Sequence, residues 1–257
     1  MKYTFSDLKN KVVLITGGSG LIGKQFVKSF INVGSKVIIL DIVKPKKKNK
    51  NLLYINCDIT NEEDINNALI LIKRKYKKIN ILINNATNNY SPSKNNNSKL
   101  FDLENFSNEI WDKDLNVGLK GAFLCTKLFG KFMANNKGGR IINISSDLGL
   151  IGPDQRLYSK NFKKPVTYSV IKHGLIGLTK YTATYWSNKK ILCNAIAPGG
   201  VYNNQPINFL KKIKKLIPLG RMAKKDEYNF LILFLASKHS SYLNGTTVIA
   251  DGGRSII

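Results

Sequence analysis

The chain of 257 residues is long enough for one large α/β domain, and its hydrophobic content of 43% is ordinary for a globular protein. No apolar run reaches membrane-spanning length, the N-terminus lacks an apolar signal core, and the three cysteines are scattered. We therefore expect a cytoplasmic protein with no disulfide framework, no metal site and no membrane partner.

The charge is strongly unbalanced, with 41 Lys and Arg against 16 Asp and Glu and a net charge of +25. Such a charge can indicate nucleic-acid binding. The cations are mostly lysines that are dispersed rather than interleaved with aromatic residues, which favours compositional drift. We expect no nucleic-acid partner, although a positive field attracts anionic cofactors and substrates.

The first predicted strand, 12–15, is followed at once by a glycine-rich turn, 16–23, and then by a helix with an apolar face. A strand, a glycine turn and a helix in this order are the context of a dinucleotide site. The glycines allow close backbone approach, and the helix N-terminus faces the pyrophosphate. The candidate cofactor contacts here are Gly17, Ser19, Gly20, Leu21, Ile22 and Gly23.

The second predicted strand, 36–40, ends at Asp41. A carboxylate at this place binds the ribose 2′-hydroxyl and repels a 2′-phosphate, so we predict NAD in preference to NADP. The lysine-rich segment 44–50 is either a solvated loop or a source of a cation near that phosphate.

Three more strands are predicted over 52–56, 79–83 and 140–145, with helices opening near 61 and spanning 111–136. Strands that alternate with helices predict a Rossmann-type, doubly wound parallel sheet in a single domain covering 1–257. Candidate substrate loops are 87–108, 152–165 and 202–218.

A pair of residues four apart, Tyr168 and Lys172, lies on one face of a predicted helix. An ammonium group beside a phenol favours the phenolate and is expected to lower its pKa from about 10, which makes the pair a proton donor and acceptor. Such pairs also occur by chance in many helices. Here the polar ends of several strands converge on the same sheet edge, where ligands of doubly wound folds bind. They are Gly17, Asp41, Asp58, Asn85, Ser146 and the turn 198–200.

The chain resembles the short-chain dehydrogenase/reductase family, in its compact single-domain branch, over nearly its whole length. The resemblance is carried by the glycine turn, Asn84-Asn85-Ala86, Ser146, Tyr168-x-x-x-Lys172 and Pro198-Gly199. It implies that Tyr168 is the general acid or base, that Lys172 holds the nicotinamide ribose, and that Ser146 binds the substrate oxygen. It also implies a homotetramer or dimer, and further cofactor contacts from Asp58, Ile59, Asn85, Ala86, Pro198, Gly199 and Val201.

Several positions depart from the family pattern. Gly118 stands where the family has a proton-relay Asn, and Thr87 stands where it usually has Gly. The glycine spacing of the turn looks like the larger, sugar-nucleotide-modifying branch. Two segments, 153–156 and 197–205, resemble a subgroup of oxidoreductases from flagellin-modification and surface-sugar pathways.

The segment 152–165 lengthens the connection between Ser146 and Tyr168, and it is rich in polar groups that include Asp154 and Lys160. We hypothesise that Gln155 and Arg156 hold a hydroxylated, anionic sugar substrate, since arginine suits bidentate contact with carboxylate or phosphate. The alternative is a solvated surface loop.

These patterns predict an NAD(H)-dependent oxidoreductase that acts on a carbonyl or secondary alcohol of a small polar molecule, such as a sugar derivative in surface-glycan biosynthesis. Three alternatives stay open. One is a 3-oxoacyl-carrier-protein reductase, which the basic surface would suit. The second is a sugar-nucleotide epimerase or dehydratase, for which the chain is short. The third is a non-catalytic NAD-sensing or nucleic-acid-binding protein, against which Ser146, Tyr168 and Lys172 argue.

Overall fold

The computed structural model of the chain describes residues 4–46, 49–88, 90, 101–158 and 162–257. Its centre is one sheet of seven parallel strands in the order β3-β2-β1-β4-β5-β6-β7, which confirms the predicted doubly wound Rossmann arrangement. The strands are β1 (Val12–Thr16), β2 (Lys36–Asp41), β3 (Leu52–Asn56), β4 (Ile81–Asn84), β5 (Gly139–Ile144), β6 (Ile191–Pro198) and β7 (Thr247–Ala250).

Helices cover both faces of the sheet. They are α1 (Gly23–Asn32), α2 (Glu62–Tyr76), α3 (Asn108–Leu115), α4 (Gly121–Cys125), α5 (Lys131–Ala134), α6 (Val166–Tyr185), α7 (Ile207–Lys214) and α8 (Asn229–Ala236). Helices α3, α4 and α5 run on from one another through two π-helical turns, Asn116–Lys120 and Thr126–Gly130. Within the described ranges, no helix combines the length and apolarity needed to cross a bilayer.

The strands are apolar because both faces of the sheet are covered. All five residues of β1 are buried, as expected of a central parallel strand. Leu14 belongs to the core layer beneath α2 and α6, whereas Val13 and Ile15 belong to the opposite layer beneath α1 and α8. The two layers hold the sheet rigidly and leave the carboxyl ends of its strands to form a site.

A buried amide network joins the end of the sheet to the helices. The Asn84 side chain donates hydrogen bonds to Asn143 Oδ1 (2.8 Å) and to Thr126 Oγ1 (3.0 Å). Asn143 in turn donates to Thr179 Oγ1 on α6 (2.8 Å). Because these groups are buried, the network compensates part of their loss of hydration, although Asn84 Oδ1 has no hydrogen-bond partner among the described residues. The network also sets the position of α6 against β5.

We predict that Asn143→Ala lowers the free energy of unfolding by about 2–3 kcal/mol, since it leaves buried partners without their hydrogen bonds. Asn135→Ala, at an exposed site near the end of α5, serves as the control and should change stability by less than about 0.5 kcal/mol. Urea unfolding of both variants measures the difference. Equal stability of the two variants would contradict a structural role for the network.

Candidate active site

The glycine turn after β1 requires glycine for a steric reason. Gly17 has a φ of +63°, and a Cβ built there would lie 2.8 Å from Ala86 Cα. Asn85 braces the same turn from the end of β4, because its Nδ2 donates to the carbonyl oxygens of Thr16 (3.0 Å) and Gly17 (2.9 Å). Asn85 therefore acts here on the backbone of the turn.

Asp41 is fixed beside this turn. Its carboxylate accepts hydrogen bonds from the backbone N–H of Ser19 (2.9 Å) and of Val43 (2.9 Å). Among the described residues, a Cβ built at Gly20 would meet one neighbouring atom within 4 Å, the Gly17 carbonyl oxygen at 3.2 Å. An open backbone face next to a fixed carboxylate, ahead of the N-terminus of α1 at Gly23, fits a dinucleotide.

The remaining predicted cofactor residues also lie at the carboxyl ends of strands or just beyond them. Leu21 and Ile22 directly precede α1. Asp58 is exposed and accepts a hydrogen bond from Thr60 N–H (2.9 Å), whereas Ile59 is buried against α4. Pro198 ends β6, and Val201 forms an isolated bridge with Ala223. Gly199 approaches Asp251 so closely that a Cβ would lie 2.7 Å from Asp251 Cα.

Ser146 follows β5 and caps the short 3-10 turn Asp147–Gly149. Its Oγ donates a hydrogen bond to Asp147 Oδ1 (2.7 Å) and accepts one from Leu148 N–H (3.2 Å). Asp147 forms a buried ion pair with Arg254 from the last turn of the chain, at 2.8 Å. The C-terminal segment is thereby anchored next to Ser146.

Both the side chain and the backbone of Lys172 form hydrogen bonds. Its Nζ donates to the Ile144 carbonyl oxygen (2.8 Å), and its own carbonyl oxygen accepts from Ser145 Oγ (2.7 Å). A Cβ at Gly149 would lie 2.7 Å from that carbonyl oxygen, so the 3-10 turn packs directly on α6. These contacts bring Lys172 Nζ to 5.5 Å from the centre of the Tyr168 ring.

The electrostatics of Tyr168 differ from the sequence-based expectation. Burial raises the pKa of Tyr168 to about 12. The hydrogen bond with Ser146 lowers this pKa, and the charge of Asp147 raises it further. Burial also lowers the pKa of Lys172 to about 7, and Lys164 adds to that effect. The expected lowering of the Tyr168 pKa below 10 was therefore wrong, because desolvation is the largest cause of the shift and raises the pKa. At neutral pH the phenol is protonated and is ready to donate its proton.

Gly118 lies in the first π-helical turn, at the position where the family has its relay Asn. A Cβ at Gly118 would lie 2.7 Å from Ile171 Cγ2, so Ile171 on α6 fills the space of the missing side chain. The glycine and the isoleucine are complementary in size. The space beside Gly118 is consequently filled by an apolar side chain.

The predicted substrate residues of the segment 152–165 separate in the structure. The side-chain amide of Gln155 binds the backbone of Lys164 twice, accepting from its N–H (2.9 Å) and donating to its carbonyl oxygen (3.1 Å). Arg156 forms a bidentate pair with Asp154, and its side chain is 89% exposed. Lys160 lies outside the described residues. The hypothesis that Gln155 and Arg156 hold the substrate stays a prediction, and these contacts lend it no support.

The candidate substrate loops contact one another and α6. Leu157 packs with Ile213 of α7 and with Met222 in a small apolar cluster. On the other side, buried Asp114 accepts hydrogen bonds from Asn88 (3.0 Å), Tyr90 (3.1 Å) and Thr167 of α6 (2.6 Å). Parts of the segment 87–108 thus join α6 next to Tyr168.

The three free cysteines, at positions 57, 125 and 193, are all buried. In the described part of the chain, no group of three or more His, Cys, Asp or Glu side chains could hold a metal ion.

Comparison with known proteins agrees with this architecture. Residues 19–255 match the family model described as enoyl-(acyl-carrier-protein) reductase. An NAD-dependent glycerol dehydrogenase of Listeria innocua is 31% identical, with 97% of this chain and 96% of the relative covered. The post-translational flagellin modification protein A of Campylobacter coli is 31% identical, with 96% and 98% covered. A crystal structure of a short-chain dehydrogenase from Leptospira borgpetersenii with bound NAD+ superposes with a TM-score of 0.88 at 31% identity, over 99% of this chain and 97% of that one.

The chain therefore belongs to the short-chain dehydrogenase/reductase family. It is an oxidoreductase of that family, and its cofactor is NAD.

Three charged residues of the site were not singled out from the sequence: Asp114, Asp147 and Arg254. Arg254 lies 107 positions from its partner Asp147, so no local spacing links them. Asp114 lies one helical turn before Gly118. The only feature of the sequence that could have identified it is that an acidic residue lies on the otherwise apolar side of α3.

We predict that NADH binds roughly 100-fold more tightly than NADPH, equivalent to about 2.8 kcal/mol, because Asp41 repels a 2′-phosphate. Asp41→Ala should narrow this ratio, as measured by fluorescence titration with both cofactors. Asp58→Ala, which removes an exposed carboxylate after the neighbouring strand, should leave the ratio unchanged. Equal dissociation constants in the unmodified protein would show that a cation, such as one from 44–50, overrides Asp41.

Proposed function

We propose that the protein interconverts a carbonyl and a secondary alcohol on a small polar molecule, a polyol or sugar derivative, with NAD(H) as the redox partner. The observation that carries this proposal is the clustering of Ser146, Tyr168 and Lys172 at the same sheet edge as Asp41 and the glycine turn. The site therefore combines a proton donor with a place for a dinucleotide.

Bound NADH supplies the hydride, and the protein supplies position and the proton. Tyr168 is protonated at neutral pH and shares a hydrogen bond with Ser146, so both hydroxyl groups can converge on one substrate oxygen. Rotation of the Ser146 hydroxyl redirects its proton from Asp147 towards that oxygen. Tyr168 then transfers its proton to the carbonyl oxygen as the alcohol forms. Lys172 lies beside the ring, and in its protonated form its charge favours the resulting phenolate.

The polar character of the substrate is supported by the loops around this point. Asn88, Asp114 and Gln155 are polar groups beside the start of α6, and the net charge of +25 favours anionic ligands. The similarity to an NAD-dependent glycerol dehydrogenase and to a flagellin modification protein supports a hydroxylated substrate in surface-glycan synthesis.

A second candidate is reduction of a 3-oxoacyl group on an acyl carrier protein. The family model that matches is described as a carrier-protein reductase, and the basic surface suits an acidic carrier. The carboxylate of Asp41 would repel the 2′-phosphate of NADPH, the cofactor that such reductases commonly use. We give preference to the polar small molecule for this reason.

We further propose that the enzyme works in the cytoplasm as a homo-oligomer. Tyr181 and Tyr185 stack on the outer side of α6 at 5.7 Å and are 65% and 61% exposed. Large exposed aromatic side chains on one helix face are typical of a subunit contact. Light scattering of the purified protein measures the oligomeric state.

A substrate panel separates the two candidate functions. Keto-sugars, sugar phosphates, dihydroxyacetone and a 3-oxoacyl carrier protein are each assayed for NADH and NADPH oxidation, and the corresponding alcohols for the reverse reaction. Turnover of a polyol or sugar with NADH supports the proposal. Turnover confined to the acylated carrier protein would replace it by the second candidate.

We predict that Tyr168→Phe lowers turnover at least about 100-fold, since general acid catalysis contributes that much or more. NADH affinity should change little, because the ring is kept. Tyr242→Phe, at a fully exposed site, controls for the loss of a tyrosine hydroxyl elsewhere. Near-normal turnover of Tyr168→Phe with the best substrate found would refute the catalytic assignment.

A further inference from the structure

A second lysine contacts the ring of Tyr168. Lys164 Nζ lies 3.6 Å from the centre of the ring, which is closer than Lys172 Nζ at 5.5 Å. Lys164 lies near the end of the segment 152–165, which we call the inserted segment, and it stands two residues before α6 begins. An ammonium group at this distance from an aromatic face makes a cation–π contact, and its charge also acts on the phenol oxygen of the same ring.

The position of Lys164 is set by its backbone. Gln155 pairs with both the N–H and the carbonyl oxygen of Lys164, at 2.9 and 3.1 Å, and so closes the base of the inserted segment. Pro165 follows with a φ of −56° and leads directly into α6. The segment is therefore constrained on both sides of the lysine, which fixes where its side chain starts relative to Tyr168.

The charged groups around this pair come from five parts of the chain. Asp147 follows β5, Asp114 lies on α3, Lys172 lies on α6, and Arg254 lies in the C-terminal turn; Tyr158 of the segment 152–165 interacts electrostatically with Tyr168. Burial lowers the pKa of Lys164 to about 8, while Asp147 and Asp114 raise it and Arg254 lowers it. Lys164 is thus largely protonated at neutral pH, where Lys172, with a pKa of about 7, is only partly protonated.

We propose that Lys164 is a second cation of the active site, which stabilises the phenolate of Tyr168 when its proton passes to the substrate. In the reductive direction, a hydride from NADH adds to the carbonyl carbon and the Tyr168 proton adds to the carbonyl oxygen. NADH is oxidised to NAD+, and the negative charge left on the Tyr168 oxygen persists until a proton from solvent replaces the one given up. Lys164 stabilises that charge, and it does so in a site where Gly118 contributes no side-chain amide.

This inference rests on the proposed role of Tyr168 in catalysis, but it is tested without any substrate. Because Lys164 loses its proton before Tyr168 does, the unmodified chain conceals the coupling in an alkaline titration. Lys164→Arg keeps a positive charge at alkaline pH, and Lys164→Met removes it. The phenolate absorbance of each variant is titrated with pH, and the spectrum of the same variant carrying Tyr168→Phe is subtracted.

The expected result is a pKa of Tyr168 that is lower by about one unit or more in Lys164→Arg than in Lys164→Met, as for an opposite charge within about 6 Å. Lys163→Arg and Lys163→Met, at the adjacent position, form the matched control pair and should give the same Tyr168 titration. Melting temperatures are measured for all variants, and Lys164→Gln replaces Lys164→Met if the latter does not fold. Identical Tyr168 titrations in the Arg and the neutral variants would overturn the inference.

Kinetics with the best substrate found provide a second test. Turnover at neutral pH should fall at least about tenfold in Lys164→Met and stay within about threefold in Lys164→Arg, with NADH affinity unchanged. In the reductive direction, we expect the turnover of the unmodified enzyme to decline above pH about 8 as Lys164 loses its proton, and we expect this decline to shift to higher pH in Lys164→Arg. If Lys164→Met instead raises KM for anionic substrates alone and leaves turnover and the pH profile unchanged, Lys164 contacts the substrate and the inference is wrong. Loss of activity in Tyr168→Phe is a separate result that tests only the proposed function.

Discussion

The site depends on the way α6 is fixed to the end of β5. Ser145 Oγ binds the carbonyl oxygen of Lys172, and Lys172 Nζ binds the carbonyl oxygen of Ile144. The close approach of Gly149 completes the contact, since any side chain there would meet the backbone of α6. Ser146 follows directly after this contact in the chain, and Tyr168 lies one helical turn before Lys172. The same few hydrogen bonds therefore set the spacing of all three residues on which the proposed chemistry relies.

Burial and charge oppose each other at this point. Desolvation raises the pKa of Tyr168 and lowers the pKa of Lys172, so it favours the neutral form of both side chains. Before the reaction, the site therefore carries less charge than it would if Lys172 were fully protonated. A catalytic phenol nevertheless has to bear a negative charge for part of each cycle. Fixed cations close to the ring make that charge less unfavourable in a poorly hydrated site, because their attraction is less screened there than in water. The Asp147–Arg254 pair adds polarity without net charge.

Much of the fold was readable from the sequence, because β1 to β5 are apolar runs that end in polar residues or glycine. Strands β6 and β7 were not identified: β6 contains buried Asn194, which interrupts its apolar pattern, and β7 has only four residues, of which Ile249 is about half exposed. Motifs located the candidate catalytic residues, since their spacing is local. The direction in which the pKa of Tyr168 shifts could not be predicted from these motifs, because the shift depends on how deeply the tertiary structure buries the ring.

The double hydrogen bond between Gln155 and Lys164 ties together two positions that are nine residues apart. Because Lys164 stands two residues before α6, the entry of that helix is set by a side chain that lies outside it. A change at Gln155 is therefore expected to disturb the backbone that leads into Tyr168, although the two residues are not neighbours in the sequence. Any redesign of this surface should keep the glutamine.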